Sequence, residues 1–312
     1  MEYKRILRFA LSLLALAAVS FYFMRELQKN WTSIQAFTLN INLFYIVLSV
    51  SALILTYLLV TYGWFLTLNA LSDHKLSYTE SIAVVNASNL TKYIPGKVWS
   101  YAFQMYWLAD AGFSKSLILY VNLVNLCVAL LMTTILGLCF LVFSPGGFPG
   151  RLTLSLLVAL FLLDLWFIKF HSTTLKRFIS ALNRILKREI GYYEMPTAVL
   201  LQLHLVTIAS AFFFGLGAFV LCIGIGFDIE RGTLLLVMSS MMIADVIGFV
   251  AFIVPGGLGV RESVMYLLLS GGSSSSLALI LPIASRIVNM FVDVVLGAAG
   301  IILLKRFATE KR

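Results

Sequence analysis

"KYIPGKVW" (residues 92–99) and "IVPGGLGVRE" (residues 253–262) decide how this chain is read, because each sets a Pro-Gly break and a cation in strongly apolar surroundings. Of the 312 residues, 61% are hydrophobic and 12% charged, and the mean hydropathy is +0.97. Apolar runs alternate with short polar gaps, the composition of a polytopic membrane protein. Runs long enough to cross about 30 Å of hydrocarbon are 6–24, 41–67, 115–143, 152–170, 197–227, 233–254 and 277–304. The net charge of +9 gathers at the ends of these runs. That is the pattern of topology signals, and it argues against a nucleic-acid surface. Cys127, Cys139 and Cys222 all lie within apolar runs without CxxC spacing or clustered histidines, so no disulfide framework, metal or cofactor is suggested.

The two breaks do not fit simple spans. From Gly96 to Ala111 is sixteen residues, about 24 Å if wholly helical, and the arm after Val260 is shorter. Both regions, 78–112 and 233–271, therefore read as re-entrant hairpins, which membrane depth permits only where protein or a water-filled cavity surrounds the broken backbone. The loop 169–196 carries Lys169, Lys176, Arg177, Arg184, Lys187 and Arg188, whereas the gaps 144–151 and 228–232 carry one arginine each, Arg151 and Arg231. With basic residues at both chain ends, the termini and that loop are expected in the cytoplasm. Six alternating crossings then close the count: 6–24 as an uncleaved anchor, 41–67, 115–143, 152–170, 197–227 and 277–304.

Shifting the sequence by 160 residues aligns the breaks without a gap. Thirteen of forty-three positions between 95 and 137 are then identical, among them Pro95/Pro255, Gly96/Gly256, Met105/Met265, Tyr106/Tyr266, Gly112/Gly272, Ser114/Ser274, Leu117/Leu277 and Gly137/Gly297. The unit is span, hairpin, span, with repeat one at about 41–143 and repeat two at about 201–303 of a single membrane domain. One crossing, 152–170, lies between the units and turns the second upside down. The expected fold is thus an all-α polytopic membrane protein with an inverted-topology repeat plus extra spans, an architecture of alternating-access transporters.

A helix resuming after Pro-Gly presents unpaired N–H groups and the positive end of its dipole, so each returning arm offers an anion site. Lys97 stands beside one and Arg261 beside the other. A cation at membrane depth needs a cavity and a partner, and a phosphate suits both. Snorkelling remains open for Lys97, and for Glu262 a first-turn acid or a salt bridge to Arg261. In the last span Arg286, Asn289, Asp293 and Gly297 share one face. Arg286 and Asp293, seven residues apart, are too distant to pair along the helix, so each requires another partner. Asn122, Asn125 and Thr133 form a milder stripe in the matching span, read as helix glue. Asn86, Asn89 and Asp245, on the entering arms, read equally as cavity lining or structural hydrogen bonding. Segment 171–192 puts Leu175, Phe178, Ile179, Leu182, Ile185 and Leu186 on one face and cations elsewhere, the pattern of a cytoplasmic interfacial helix.

The "PGKVW" element followed by "PGGLGVRE" resembles the lysylphosphatidylglycerol synthase transmembrane family, which includes the flippase half of the multiple peptide resistance factor, over nearly the whole chain. The resemblance implies a lipid flippase in a prokaryotic cytoplasmic membrane, with Pro95, Gly96, Lys97, Pro255, Gly256, Gly257, Gly259, Arg261 and Glu262 as its site residues. Its expected partners are membrane lipids with anionic or phosphate-bearing headgroups, and a homo-oligomer or a separate lipid-modifying enzyme. The chain ends at Arg312 with no soluble aminoacyl-transferase domain, which moves the expected substrate from aminoacylated phosphatidylglycerol toward glycolipid or polyprenyl-linked lipids. Two other readings stay open: a small soluble anion transporter using the same tips, and a membrane-embedded lipid-dependent transferase. The transferase ranks last because no clustered carboxylates or nucleophile-base pair stand out, so no enzyme activity is expected. No nucleotide-binding loop is present either, which argues against direct ATP drive.

Overall fold

The structure, a computed structural model, describes Gln28 and residues 40–93, 99–144, 150–186, 190–227, 232–251 and 257–310. All regular elements among them are helical. They are α1 (Leu43–Leu71), α2 (Tyr78–Asn89) with a 3-10 turn at Leu90–Tyr93, α3 (Trp99–Ala109), α4 (Lys115–Val142), α5 (Gly150–Leu186), α6 (Thr197–Gly224), α7 (Thr233–Val250), α8 (Val260–Ser270) and α9 (Ser275–Glu310). The expected crossing 6–24 and the break residues Pro95, Gly96, Lys97, Pro255 and Gly256 lie outside the described residues.

Six of these helices, α1, α4, α5, α6, α7 and α9, are long and apolar enough to cross a membrane, and the chain is a multi-pass membrane protein. Five coincide with crossings expected from the sequence. The sixth, α7, was expected only as a hairpin arm; its 18 residues extend about 27 Å, enough by length to span. By contrast α2, α3 and α8, with 12, 11 and 11 residues, reach only about 16–18 Å. Lipid is the natural solvent for α5, which exposes Leu152, Leu156, Phe161, Leu162 and Trp166. A non-helical residue, Phe170, breaks α5 where its apolar run ends. Beyond the break Leu175 and Ile179 are buried against α4 and α6, while Phe178 and Ile185 are exposed. The amphipathic segment thus docks part of its apolar face on protein, where the sequence reading had placed all six apolar residues on one face.

Helix starts follow from local chemistry. The Asn42 side chain accepts from Phe44 N, and Ser77 and Glu80 form a reciprocal capping box at α2. Positions 160 residues apart do the same local work. Ser114 Oγ accepts from Leu117 N at 3.1 Å, and Ser274 Oγ accepts from Leu277 N at 3.2 Å. The turns just before these caps match as well: Gly112 N donates to Ala109 O and Gly272 N to Leu269 O, each at 3.1 Å.

The packing is set by α1 and α6, which lie along each other. Ser49 Oγ donates to Gly217 O and Thr56 Oγ1 to Ser210 O, and a side chain at Gly63 would meet Leu203. Each advance along α1 is a retreat along α6, so the two helices are antiparallel. Around this pair α2 packs on α9 and α4 on α7. Glycines permit both close approaches: a side chain at Gly297 would strike Leu90, and one at Gly137 would come within 3.2 Å of Met242 Cβ.

Candidate functional site

The helices surround a cavity of about 430 Å³. Its wall draws on α1, α2, α3, α4, α6, α7, α8 and α9. Among the described residues three cations line it, Lys92, Arg261 and Arg286, with two carboxylates, Asp245 and Asp293.

Lys92 Nζ, in the 3-10 turn, lies 2.7 Å from Asp293 Oδ1. The Tyr57 hydroxyl donates to the same oxygen at 2.6 Å. The Asp293 side chain is only 1% exposed, whereas that of Lys92 is 35% exposed, so the lysine is the solvated member. A buried carboxylate is tolerable because charge-assisted bonds replace its lost hydration.

Arg261 is placed by the glycines before it. Gly257 and Gly259 have φ of +67° and +78°, a region that glycine reaches without the strain other residues incur. A side chain at Gly257 would lie 2.8 Å from Gly248 O, and one at Gly248 would lie 3.1 Å from Arg261 Cβ. This close approach lays Arg261 along the α7 face that carries Met241 and Asp245. Arg261 Nη1 is 3.2 Å from Asp245 Oδ1, Nη2 donates to Met241 Sδ at 3.2 Å, and the guanidinium stands 5.5 Å from the Phe214 ring centroid. Asp245 is 48% exposed on its side chain, against 11% for Arg261, so this pair opens into the cavity.

Glu262 is not among the cavity-lining residues and ties two elements together. Its Oε2 accepts from Gly259 N–H at 2.7 Å, and its Oε1 lies 3.6 Å from Arg286 Nη1. Of the two structural readings of this acid, the first-turn acid is what the geometry shows; its ion-pair partner is Arg286, and Arg261 takes Asp245 instead. The start of α8 is thus partly satisfied from within, and the anion-attracting groups facing the cavity are the side-chain cations. Arg286 and Asp293 each find a partner on another element, as their spacing requires.

The remaining sequence candidates divide. Asn89 lines the cavity, while Asn86 lies outside the lining, with its Nδ2 donating to Ile82 O. Lys97 and Gly96 are outside the described residues, and Lys92, five positions earlier, is the cation placed in the site. Lys92 was legible in principle, since Asn86, Asn89 and Lys92 recur every three residues. Asn122, Asn125 and Thr133, read as glue, all line the cavity, as do Tyr57, Trp64 and Gln104, which sequence reasoning passed over.

A multi-pass helical bundle around a polar, charge-paired cavity is the general form of a membrane transporter or intramembrane binding protein. Residues 5–297 match the family described as the lysylphosphatidylglycerol synthase TM region, and the chain belongs to that family. No individual curated protein matches the chain.

Proposed function

We propose that this protein is a lipid flippase that passes a phosphate-bearing headgroup through the central cavity, working as a transporter without catalysing a reaction. The observation that carries the reading is the set of three cations held by carboxylates inside a membrane bundle. Cations already paired cost little while the site waits, and a phosphate arriving at the Arg261–Asp245 pair exchanges for the exposed carboxylate. Val60 lies between Thr56 and Trp64 on the cavity-lining face of α1 and is 50% exposed, so the cavity offers apolar as well as charged surface. Membership of the lysylphosphatidylglycerol synthase TM family supports a lipid substrate.

The inverted-repeat reading draws support from the packing. The antiparallel α1 and α6 are the repeat-matched spans, and α2 on α9 exchanges with α4 on α7 when the units are swapped. Gly137 and Gly297 admit the opposite unit's entering arm in each case. In this reading the α2–α3 hairpin opens to the cytoplasm of a prokaryotic inner membrane, the α7–α8 hairpin opens outside, and both termini are cytoplasmic. The test is headgroup translocation by the purified protein in vesicles, with a fluorescent phosphatidylglycerol as probe. Uptake of inorganic phosphate or a soluble phosphoester, with no lipid movement, would replace this reading by the soluble-anion carrier.

A further inference from the structure

The cavity has an uncharged half that phosphate recognition does not use. A side chain at Gly63 would lie 3.7 Å from Asn125 Oδ1, which sets Asn125 at that level of α1. Gly63 and the neighbouring Trp64 lie six and seven residues beyond Tyr57, about 9–10 Å farther along the axis. Asn122 and Gln104 complete this half, with Asn122 Nδ2 donating to Gln104 Oε1 at 2.7 Å and Gln104 Nε2 to Ser88 Oγ at 2.9 Å.

These groups have hydrogen-bonding capacity left over. Trp64 is 3% exposed, and its Nε1–H has no hydrogen-bond partner among the described residues. Asn125 uses its Nδ2 on Val121 O, and Asn122 uses its own on Ile118 O and Gln104, which leaves both Oδ1 acceptors unspent among the described residues. Both amides line the cavity, so these acceptors stand where a ligand entering it can reach them, and an unmet polar group is costly until it finds a partner. What is left is a mixture of donor and acceptors beside an aromatic ring, with no carboxylate among the described residues of this half. A hydroxyl is both donor and acceptor and meets that mixture, whereas an ammonium needs acceptors alone.

We propose that this half binds the hydroxyl groups of a polyol or glycosyl headgroup whose phosphate sits among Lys92, Arg261 and Arg286. The substrate class is then a phospholipid or lipid-linked phosphate bearing an uncharged, hydroxyl-rich group. The proposal rests on the flippase reading.

The experiment compares vesicle translocation of fluorescent phosphatidylglycerol with that of phosphatidylmethanol, which has the same phosphate and no hydroxyls, and reads the ratio of the two rates. The wild-type protein favours phosphatidylglycerol. Trp64→Phe, which removes the N–H and keeps a ring, and Asn125→Leu, which gives up only a bond within its own helix, each lower that ratio about three- to tenfold. A ratio unchanged in both variants overturns the hydroxyl site while leaving the flippase reading intact. Movement of neither lipid by the wild-type protein, with no uptake of free glycerol phosphate either, overturns the flippase reading and this inference with it. Uptake of free glycerol phosphate without lipid movement, weakened by Asn125→Leu, keeps the hydroxyl site and assigns it to a soluble ligand.

Discussion

At the scale of single residues, the site is a set of charges whose partners are far away in sequence. Lys92 and Asp293, 201 residues apart, share one bond, and the Tyr57 hydroxyl adds a second to the same carboxylate. Asp293→Asn keeps the shape and removes the charge that holds Lys92. Its expected outcome is a translocation rate at least about tenfold lower, because an ion pair with a buried carboxylate is replaced by a weaker hydrogen bond from the ammonium to an amide oxygen. Tyr57→Phe gives up the hydroxyl's bond to Asp293 and the longer one it accepts from Lys92 at 3.3 Å, and is expected to lower thermal stability by about 1.5–3 kcal/mol. Melting in detergent alongside vesicle transport separates the two effects. The charged positions Arg286, Asp293, Arg261 and Asp245 were legible in the sequence because a charge inside an apolar run is conspicuous. Their pairings were not legible, since nothing local decides whether Glu262 takes Arg261 or Arg286; the backbone path through Gly257 and Gly259 does. Tyr57 was invisible for the opposite reason: an aromatic in an apolar span looks the same whether it faces lipid or a carboxylate.

At the scale of elements, the breaks and caps position the charges. Gly257 combines a φ of +67° with a van der Waals gap that a methyl group would close to 2.8 Å from Gly248 O. Gly257→Ala is therefore expected to cost about 1–3 kcal/mol and to loosen Arg261, whereas Gly150→Ala, where nothing lies within 4 Å, is expected to be neutral or slightly stabilising. Ser114→Ala and Ser274→Ala, at matching caps of α4 and α9, are each expected to lower stability by about 1 kcal/mol. Their effects should add, since the two sites do not touch. Thermal melts of the two single variants and the double variant check this. The spans were legible because hydropathy is a local signal; Ser114 and Ser274 entered the sequence reading only as repeat matches, and their capping role comes from the structure. The docking of Leu175 and Ile179 was not, because an apolar face on an interfacial helix fits lipid and protein equally well.

At the scale of the whole molecule, the repeat found by the 160-residue shift agrees with a packing in which matched helices trade places. In the proposed inverted-topology reading the α2–α3 segment returns to the side it left, and with α4 and α5 as crossings that path is consistent with the antiparallel run of α1 and α6. Cysteines at Asp73 and Gly272, in an otherwise cysteine-free background, are expected to react with impermeant reagents from opposite sides of the membrane. Labelling of both from one side contradicts the inversion. The central claim is that a headgroup phosphate passes through the charge-paired cavity. It is tested most directly by the rate at which purified protein flips fluorescent phosphatidylglycerol in vesicles, measured for the wild-type chain, Asp293→Asn and Arg261→Gln. The account predicts translocation by the wild-type protein and a loss of about tenfold or more in each variant that retains its fold by melting; full translocation by both folded variants would contradict it.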